Sequence, residues 1–223
     1  MSADDSSKTS SHDFSLQSGE RQFASTLKDI RGDHVNRYAF GLKHLETVGF
    51  GIDAFCGNGY GSYIAAQEGH HMLAMDGSAE ALMVANENYA ADTVYFTHKM
   101  WPFDLPTATF DFCFCLESIE HVVDGGAFLD TIYKALKPGG ILILSTPNED
   151  LMPFVPSQHK FHIRHYTEKE SFDLLKQRKM EVITWGGQDV YDIRENGTHT
   201  LKDPNAEVVP ETAGQFIIMV ARK

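Results

Sequence analysis

The stretch Asp53-Ala54-Phe55-Cys56-Gly57-Asn58-Gly59-Tyr60-Gly61-Ser62 constrains this chain most. It follows a short apolar run at 50–55 that reads as a buried strand, and it leads into a helix at 60–67. Glycines at a strand-to-helix turn permit positive φ and let backbone approach a ligand closely. The alternation then repeats. Strands are expected at 71–75, 94–96, 110–116, 141–144, 182–185 and 216–220, and helices at 33–42, 78–89, 125–136 and 167–178. The run Ile141-Leu142-Ile143-Leu144 is apolar throughout, as in a strand covered on both faces. In 110–116, Phe112 and Phe114 oppose Cys113 and Cys115. Lys137-Pro138-Gly139-Gly140 stops one helix, and Thr167 with Glu170 forms a capping box at the start of another. Such an order predicts an open, mostly parallel, doubly wound α/β sheet of seven strands.

Length and charge narrow the choice. A chain of 223 residues fits one domain, expected over 19–223, with the Ser- and Asp-rich residues 1–18 as a flexible tail. A net charge of -12 argues against a large basic groove, so nucleic acid is not the expected partner. No apolar run is long enough for a transmembrane helix, and the N-terminus has no apolar signal region. Three cysteines, Cys56, Cys113 and Cys115, suit a reducing compartment, so a cytoplasmic protein is expected. The polar stretch 186–213 is either a surface excursion or a lid.

In a parallel sheet the ligand crevice lies at the carboxyl ends of the strands. Asp76 ends the second strand, about one βα unit beyond Asp53, where a carboxylate can accept both hydrogens of a ribose diol. With the glycine loop, with Phe110-Asp111 and with Leu136-Lys137-Pro138-Gly139-Gly140, this set resembles the class I S-adenosylmethionine-dependent methyltransferases. The resemblance spans roughly 34–220 and implies a Rossmann-like fold with the last strand antiparallel. It also implies S-adenosyl-L-methionine as cofactor, with Asp53 near its methionine part, Asp76 on its ribose, and Cys56, Gly57, Gly59, Gly61, Gly77 and Leu116 around it. Phe55 stands where the family usually has glycine, and His98-Lys99-Met100-Trp101 stands where an acidic residue commonly meets the adenine. Ser18-Gly19-Glu20-Arg21 and Asp33-His34-Val35-Asn36-Arg37-Tyr38 resemble the start of polysaccharide-associated methyltransferases, which implies that Arg37 pairs with the cofactor carboxylate.

Glu117-Ser118-Ile119-Glu120-His121 follows the fourth strand, where acceptors meet the cofactor in this family. On a helical turn Glu117 and Glu120 share a face and His121 joins them. Two carboxylates and an imidazole suit Mg²⁺, Mn²⁺, Fe²⁺ or Zn²⁺. Glu-x-x-Glu-His with a later histidine resembles ubiquinone-biosynthesis O-methyltransferases and small-RNA 2′-O-methyltransferases, and makes His162 the fourth metal ligand. Without a metal, His121 is a general base or orients the loop, with Glu120 and His162 as further catalytic residues. His159 and His165 are surface or substrate contacts on this reading. Methylation of a hydroxyl on a sugar-containing or polyhydroxylated small molecule, or on a glycan, is the expected activity. Ribose 2′-O-methylation at an RNA end, read by the modest basic cluster Lys160, Arg164, Lys169, Lys176, Arg178 and Lys179, and a non-catalytic cofactor-binding subunit are the alternatives.

Overall fold

The computed structural model of the chain describes residues 22–194 and 197–223. The expectation for residues 1–18, and the Ser18-Gly19-Glu20-Arg21 segment, lie outside the described residues.

The strands are β1 (Phe50–Ala54), β2 (His71–Asp76), β3 (Val94–His98), β4 (Phe110–Leu116), β5 (Leu136–Pro147), β6 (Glu181–Gln188), β7 (Tyr191–Ile193), β8 (His199–Leu201), β9 (Val209–Pro210) and β10 (Phe216–Arg222). The helices are α1 (Gly32–Leu42), α2 (Tyr60–Gln67), α3 (Ala79–Asn88), α4 (Gly125–Ala135) and α5 (Glu168–Gln177). The main sheet runs β3-β2-β1-β4-β5-β10-β6-β9. β3 to β5 are mutually parallel, while β10 is antiparallel to both β5 and β6. The seven expected strands are therefore present, with the last one reversed. The short β9 adds an eighth at the edge, antiparallel to β6.

Two apolar layers sandwich the sheet, as the period-2 rule requires of strands covered on both faces. Cys113 and Cys115 point into the layer holding Phe128, Leu129 and Ile132 of α4. Phe112 and Phe114 point into the layer with Tyr38 of α1. All three cysteines are buried thiols.

Three details differ from the sequence expectation. β5 begins at Leu136, because Phe110 pairs with Leu136 and Phe112 with Ile141; the Lys137-Pro138-Gly139-Gly140 turn is a bulge inside the ladder, with Gly139 at φ 78°. The buried face of α1 holds Asp33, Arg37, Tyr38, Phe40 and Gly41 rather than a purely apolar stripe; Arg37 can be buried there because Gln188 and Asp33 supply polar partners. The 186–213 stretch is no bare loop. It completes β6, forms the β7–β8 ribbon and buries Val190 and Ala206. α5 starts as expected, with Thr167 and Glu170 exchanging side-chain-to-backbone bonds.

Candidate active site

The carboxyl ends of β1, β2, β4 and β5 open onto a cavity of about 1040 Å³. Single-ligand pockets run to roughly 1,000 Å³, so two small molecules fit in this one. At one end is the glycine turn. Phe55, the residue standing in a usual glycine position, takes φ 65°, and its ring stacks on Phe128 at 5.5 Å and 4°. The turn keeps the backbone a glycine would give, at a strain of about 1–2 kcal/mol offset by aromatic packing.

The three motif glycines have three different jobs. Gly57, at φ 56°, lines the cavity, and a Cβ on it would meet nothing within 4 Å. Gly59 makes room for Phe96 and Ala85 beneath α3. Gly61 makes room for Tyr38, whose ring would sit 1.9 Å from an added Cβ. Gly59 and Gly61 therefore set packing, and Gly57 is the one of the three that faces the cavity.

Asp53 lies under this turn rather than on the cavity wall. It accepts hydrogen bonds from Ser62 Oγ at 2.8 Å and Tyr38 Oη at 3.3 Å. Burial pushes its carboxyl up to about 7, against the pull of those two donors. Asp76 does line the cavity, at the end of β2. Its oxygens accept from Gly57 N and Ser78 N, each at 2.8 Å, which fixes the carboxylate. Cys56, Gly77 and Leu116 line the cavity too, as do Met100 and Trp101 from the segment expected near an adenine. His98 binds the Gly77 carbonyl through Nε2 at 2.9 Å.

Arg37 reaches the cavity from α1. Its Nε donates to Gln188 Oε1 at 2.7 Å, and its guanidinium lies 4.1 Å over the Phe216 ring. Asp33 and Glu117 carboxylates stand at 3.5 Å. Nη2, which faces Asp33 at 3.5 Å, is buried and makes no hydrogen bond beyond that ion pair.

The opposite end of the cavity is built by two segments stitched together. Ile163 N donates to Glu120 O at 2.7 Å, and His121 Nδ1 donates to Phe161 O at 3.2 Å. This brings donor atoms of Glu120, His121 and His162 within 4.8 Å of one another. Glu117 is not in that group. The turn is a 3₁₀ helix that starts only at Ile119, and Glu117 precedes it at φ 48°. The i, i+3 face that would join it to Glu120 does not exist. Instead Glu117 accepts from Ser145 Oγ at 2.6 Å and faces Arg37.

Hydrogen bonding fixes the imidazole tautomers. A carbonyl only accepts, so His165 Nδ1 donates to Met152 O at 2.7 Å and its Nε2 becomes an acceptor. His162 Nδ1, 2.7 Å from that Nε2, must then carry the proton, which makes His162 Nε2 the lone-pair nitrogen. The Phe161 bond does the same for His121. Burial, together with the neighbouring His121, His165 and His159, pushes His162 down to about 2. Burial and the nearby Glu117 hold Glu120 well above the ordinary carboxylate range. Glu120 Oε2 accepts from Thr146 Oγ1 at 3.2 Å, while the buried Oε1 has no partner. His159 and His165 are buried rather than on the surface.

Sequence reasoning did not single out Asn58, His199, Tyr191 or Phe216, all of which line the cavity. Asn58 sat in view as the variable residue of the glycine loop. The other three come from the late segments, where nothing in the sequence marks them. Of the basic cluster, Arg164 pairs with Glu170, Lys169 with Asp173 and Arg178 with Asp130, which neutralises much of it. Among the described residues no helix is long and apolar enough to cross a membrane.

Known proteins resemble this chain in sequence and in fold. Residues 52–144 match a family described as methyltransferase domain. A ubiquinone biosynthesis O-methyltransferase of Psychrobacter arcticus is 31% identical over 129 residues, covering 54% of this chain and 48% of that protein. The chain spans about half the length of the first curated relatives it matches. A SAM-dependent methyltransferase structure from Thermotoga maritima superposes with a TM-score of 0.65 at 18% identity, over 86% of this chain and 90% of that one. The Burkholderia thailandensis 1,6-didemethyltoxoflavin-N1-methyltransferase, solved with its acceptor and S-adenosylhomocysteine, gives 0.59 at 20% identity, over 84% and 76%. At these identities the two structures speak to the fold.

Proposed function

We propose that this chain, which carries a methyltransferase domain over residues 52–144, moves a methyl group from S-adenosyl-L-methionine to a hydroxyl of a ring-bearing, polyhydroxylated small molecule. One observation carries the reading. Arg37 Nη2, the Asn58 amide, Glu120 Oε1 and His159 Nε2 are buried polar atoms without hydrogen-bond partners. Arg37, Asn58 and His159 line the same cavity, and Glu120 stands beside its His121 and His162. Unsatisfied buried groups cost roughly 1–3 kcal/mol each, so a cluster of them around one cavity signals a ligand that satisfies them.

S-adenosylmethionine supplies a sulfonium-activated methyl group. The chain supplies the rest. Asp76 would take the ribose hydroxyls, Gly57 would let the backbone close on the methionine part, and Arg37 would offer Nη2 to its carboxylate. Met100 and Trp101 would flank the base. Holding donor and acceptor in a reactive pose is worth roughly 7–11 kcal/mol, and that is the principal task of such a site.

Glu120, His121 and His162 fit a divalent cation: one buried carboxylate oxygen lacks a partner, and two imidazoles have Nδ1 committed to other acceptors. A bound divalent cation would acidify a chelated hydroxyl. The relayed bond from Met152 through His165 fixes the tautomer and orientation of His162, burial keeps that ring neutral, and the Phe161 bond orients His121. Without a cation, the His121 Nε2 lone pair is the proton acceptor for the hydroxyl.

The test is titration calorimetry with S-adenosylhomocysteine, then labelled-methyl transfer to a panel of diols and catechols. Glu120→Gln should keep S-adenosylhomocysteine affinity within about threefold and lose turnover by roughly 10²–10⁴. Unchanged turnover removes Glu120 from the chemistry. Equal turnover in chelator and in added Mg²⁺, Mn²⁺ or Zn²⁺ leaves His121 acting alone.

A further inference from the structure

His159 is 8% exposed, lines the acceptor end of the cavity, and lies on no path of the mechanism above. Its surroundings fix its protonation. The backbone N–H of Val155 donates to His159 Nδ1 at 3.1 Å, so Nδ1 is the acceptor nitrogen and the proton of the neutral ring sits on Nε2. Nε2 is thus a buried N–H donor, and it has no partner among the described residues.

The ring cannot turn away to find one. Four rings crowd it: His162 at 5.4 Å and 16°, His199 at 5.7 Å and 4°, Phe154 at 6.0 Å and 27°, and His165 at 4.5 Å and 60°. Rotation would also give up the Val155 bond. A stranded donor in a fixed orientation, one imidazole away from the Glu120, His121 and His162 group, asks for an oxygen from a ligand.

We propose that His159 is a specificity-determining residue of an acceptor subsite, where Nε2–H donates to an oxygen on the far side of the acceptor ring from the hydroxyls held near Glu120. A carboxylate or carbonyl oxygen fits, since it accepts and never donates. The inference rests on the acceptor reading of this cavity and adds to it the class of molecule: a ring diol that also carries an acidic or carbonyl substituent. Lys160, at the exposed mouth of the same cavity, favours the acid.

The test compares 3,4-dihydroxybenzoate with catechol, which lacks the carboxylate. Binding of each to the full chain is measured by calorimetry, with and without S-adenosylhomocysteine, and methyl transfer is measured in parallel. His159→Asn keeps an acceptor near the Nδ1 position for Val155 and removes the distal donor. His159→Gln places an amide N–H near the Nε2 position. The wild type should bind the acid at least tenfold more tightly than catechol. His159→Asn should reduce that ratio to about threefold or less with catechol binding unchanged, and His159→Gln should restore most of it. A wild-type ratio near one overturns the proposal. So does a His159→Asn variant that keeps the ratio, or one that weakens both ligands equally. Failure of S-adenosylhomocysteine to bind at all would instead strike the methyltransferase reading, and the ratio measured without it still decides the role of His159.

Discussion

Substituting each motif glycine by alanine should separate stability from binding. At Gly61 the added Cβ falls 1.9 Å from Tyr38 Cζ and 2.2 Å from Cε1. Tyr38 has nowhere to go. Its ring meets Phe114 at 4.9 Å and Tyr60 at 5.7 Å, and its hydroxyl donates to Asp53. Overpacking of this kind costs about 3 kcal/mol. Displacing the Tyr38 hydroxyl adds about 1 kcal/mol, and replacing glycine by alanine inside α2 returns about 1 kcal/mol. The net loss is about 3 kcal/mol, a drop of roughly 1.5 M in the urea midpoint at a slope near 2 kcal/mol/M. At Gly57 there is no clash, and the cost is the positive φ, about 1 kcal/mol. Gly57→Ala, however, places its methyl group in the open space of the cavity. It should weaken S-adenosylhomocysteine by at least tenfold while the midpoint falls by only about 0.5 M, again from a slope near 2 kcal/mol/M. Urea melts and calorimetry on both variants decide it. A Gly57→Ala protein that binds normally refutes the assignment of Gly57 to the ligand. A Gly61→Ala protein with an unchanged midpoint refutes the packing account.

Asp53 should make apo-protein stability fall with rising pH. Its folded carboxyl is raised to about 7, above the unfolded value near 4, so the folded state binds the extra proton between those values. The stability of the wild type relative to Asp53→Asn should therefore decline from pH 4 to 7 and level off above, as urea melts across that range would read. A flat difference would place Asp53 in a more polar setting. Thr167→Ala removes a side-chain cap from α5 and should lower stability by about 1 kcal/mol with methyl transfer intact; a larger activity loss would tie α5 to the site. Arg37→Lys keeps the charge but loses the fork between Gln188 and the cavity. S-adenosylhomocysteine affinity should drop by about tenfold, as expected of a bidentate position, and an unchanged value would confine Arg37 to anchoring α1.

The layers of this fold were legible because periodicity reports burial directly. Ile141-Leu142-Ile143-Leu144 announced a strand covered on both faces, and its side chains do divide between two cores, Leu142 and Leu144 in one and Ile141 and Ile143 in the other. The capping box at Thr167 was legible for a similar reason, being a contact between residues three apart. α1 was read less well. Its buried face carries Asp33 and Arg37, whose partners Gln188 and Phe216 lie some 150 residues or more downstream, and no local pattern encodes those contacts. His199 and Tyr191 were invisible on the same grounds. The β7–β8 ribbon that carries them is a local hairpin, but their places at the cavity come from distant partners, Arg31 for Tyr191 and His159 for His199, and their segment reads simply as polar.

Glu117 shows where spacing misleads. An i, i+3 argument presupposes helical φ on every residue between, and one residue at φ 48° is enough to void it. The consequence is chemical. Had Glu117 joined Glu120, a cation there would face two carboxylates. As built, Glu117 is taken up by Ser145 and by Arg37, which sits at the other end of the cavity. Glu117 is therefore the carboxylate common to both ends: it stands 3.5 Å from the Arg37 guanidinium proposed to meet the cofactor, and its charge helps raise Glu120 on the acceptor side. Neutralising it should act on both. Glu117→Gln should shift cofactor affinity and, by relieving Glu120 of a like charge, ease ionisation of the acceptor-side carboxyl. Measured together with Glu120→Gln in a double-mutant cycle, the two should be non-additive in turnover, as residues in contact or in one charge network are. Strict additivity would mean that the two carboxyls work independently.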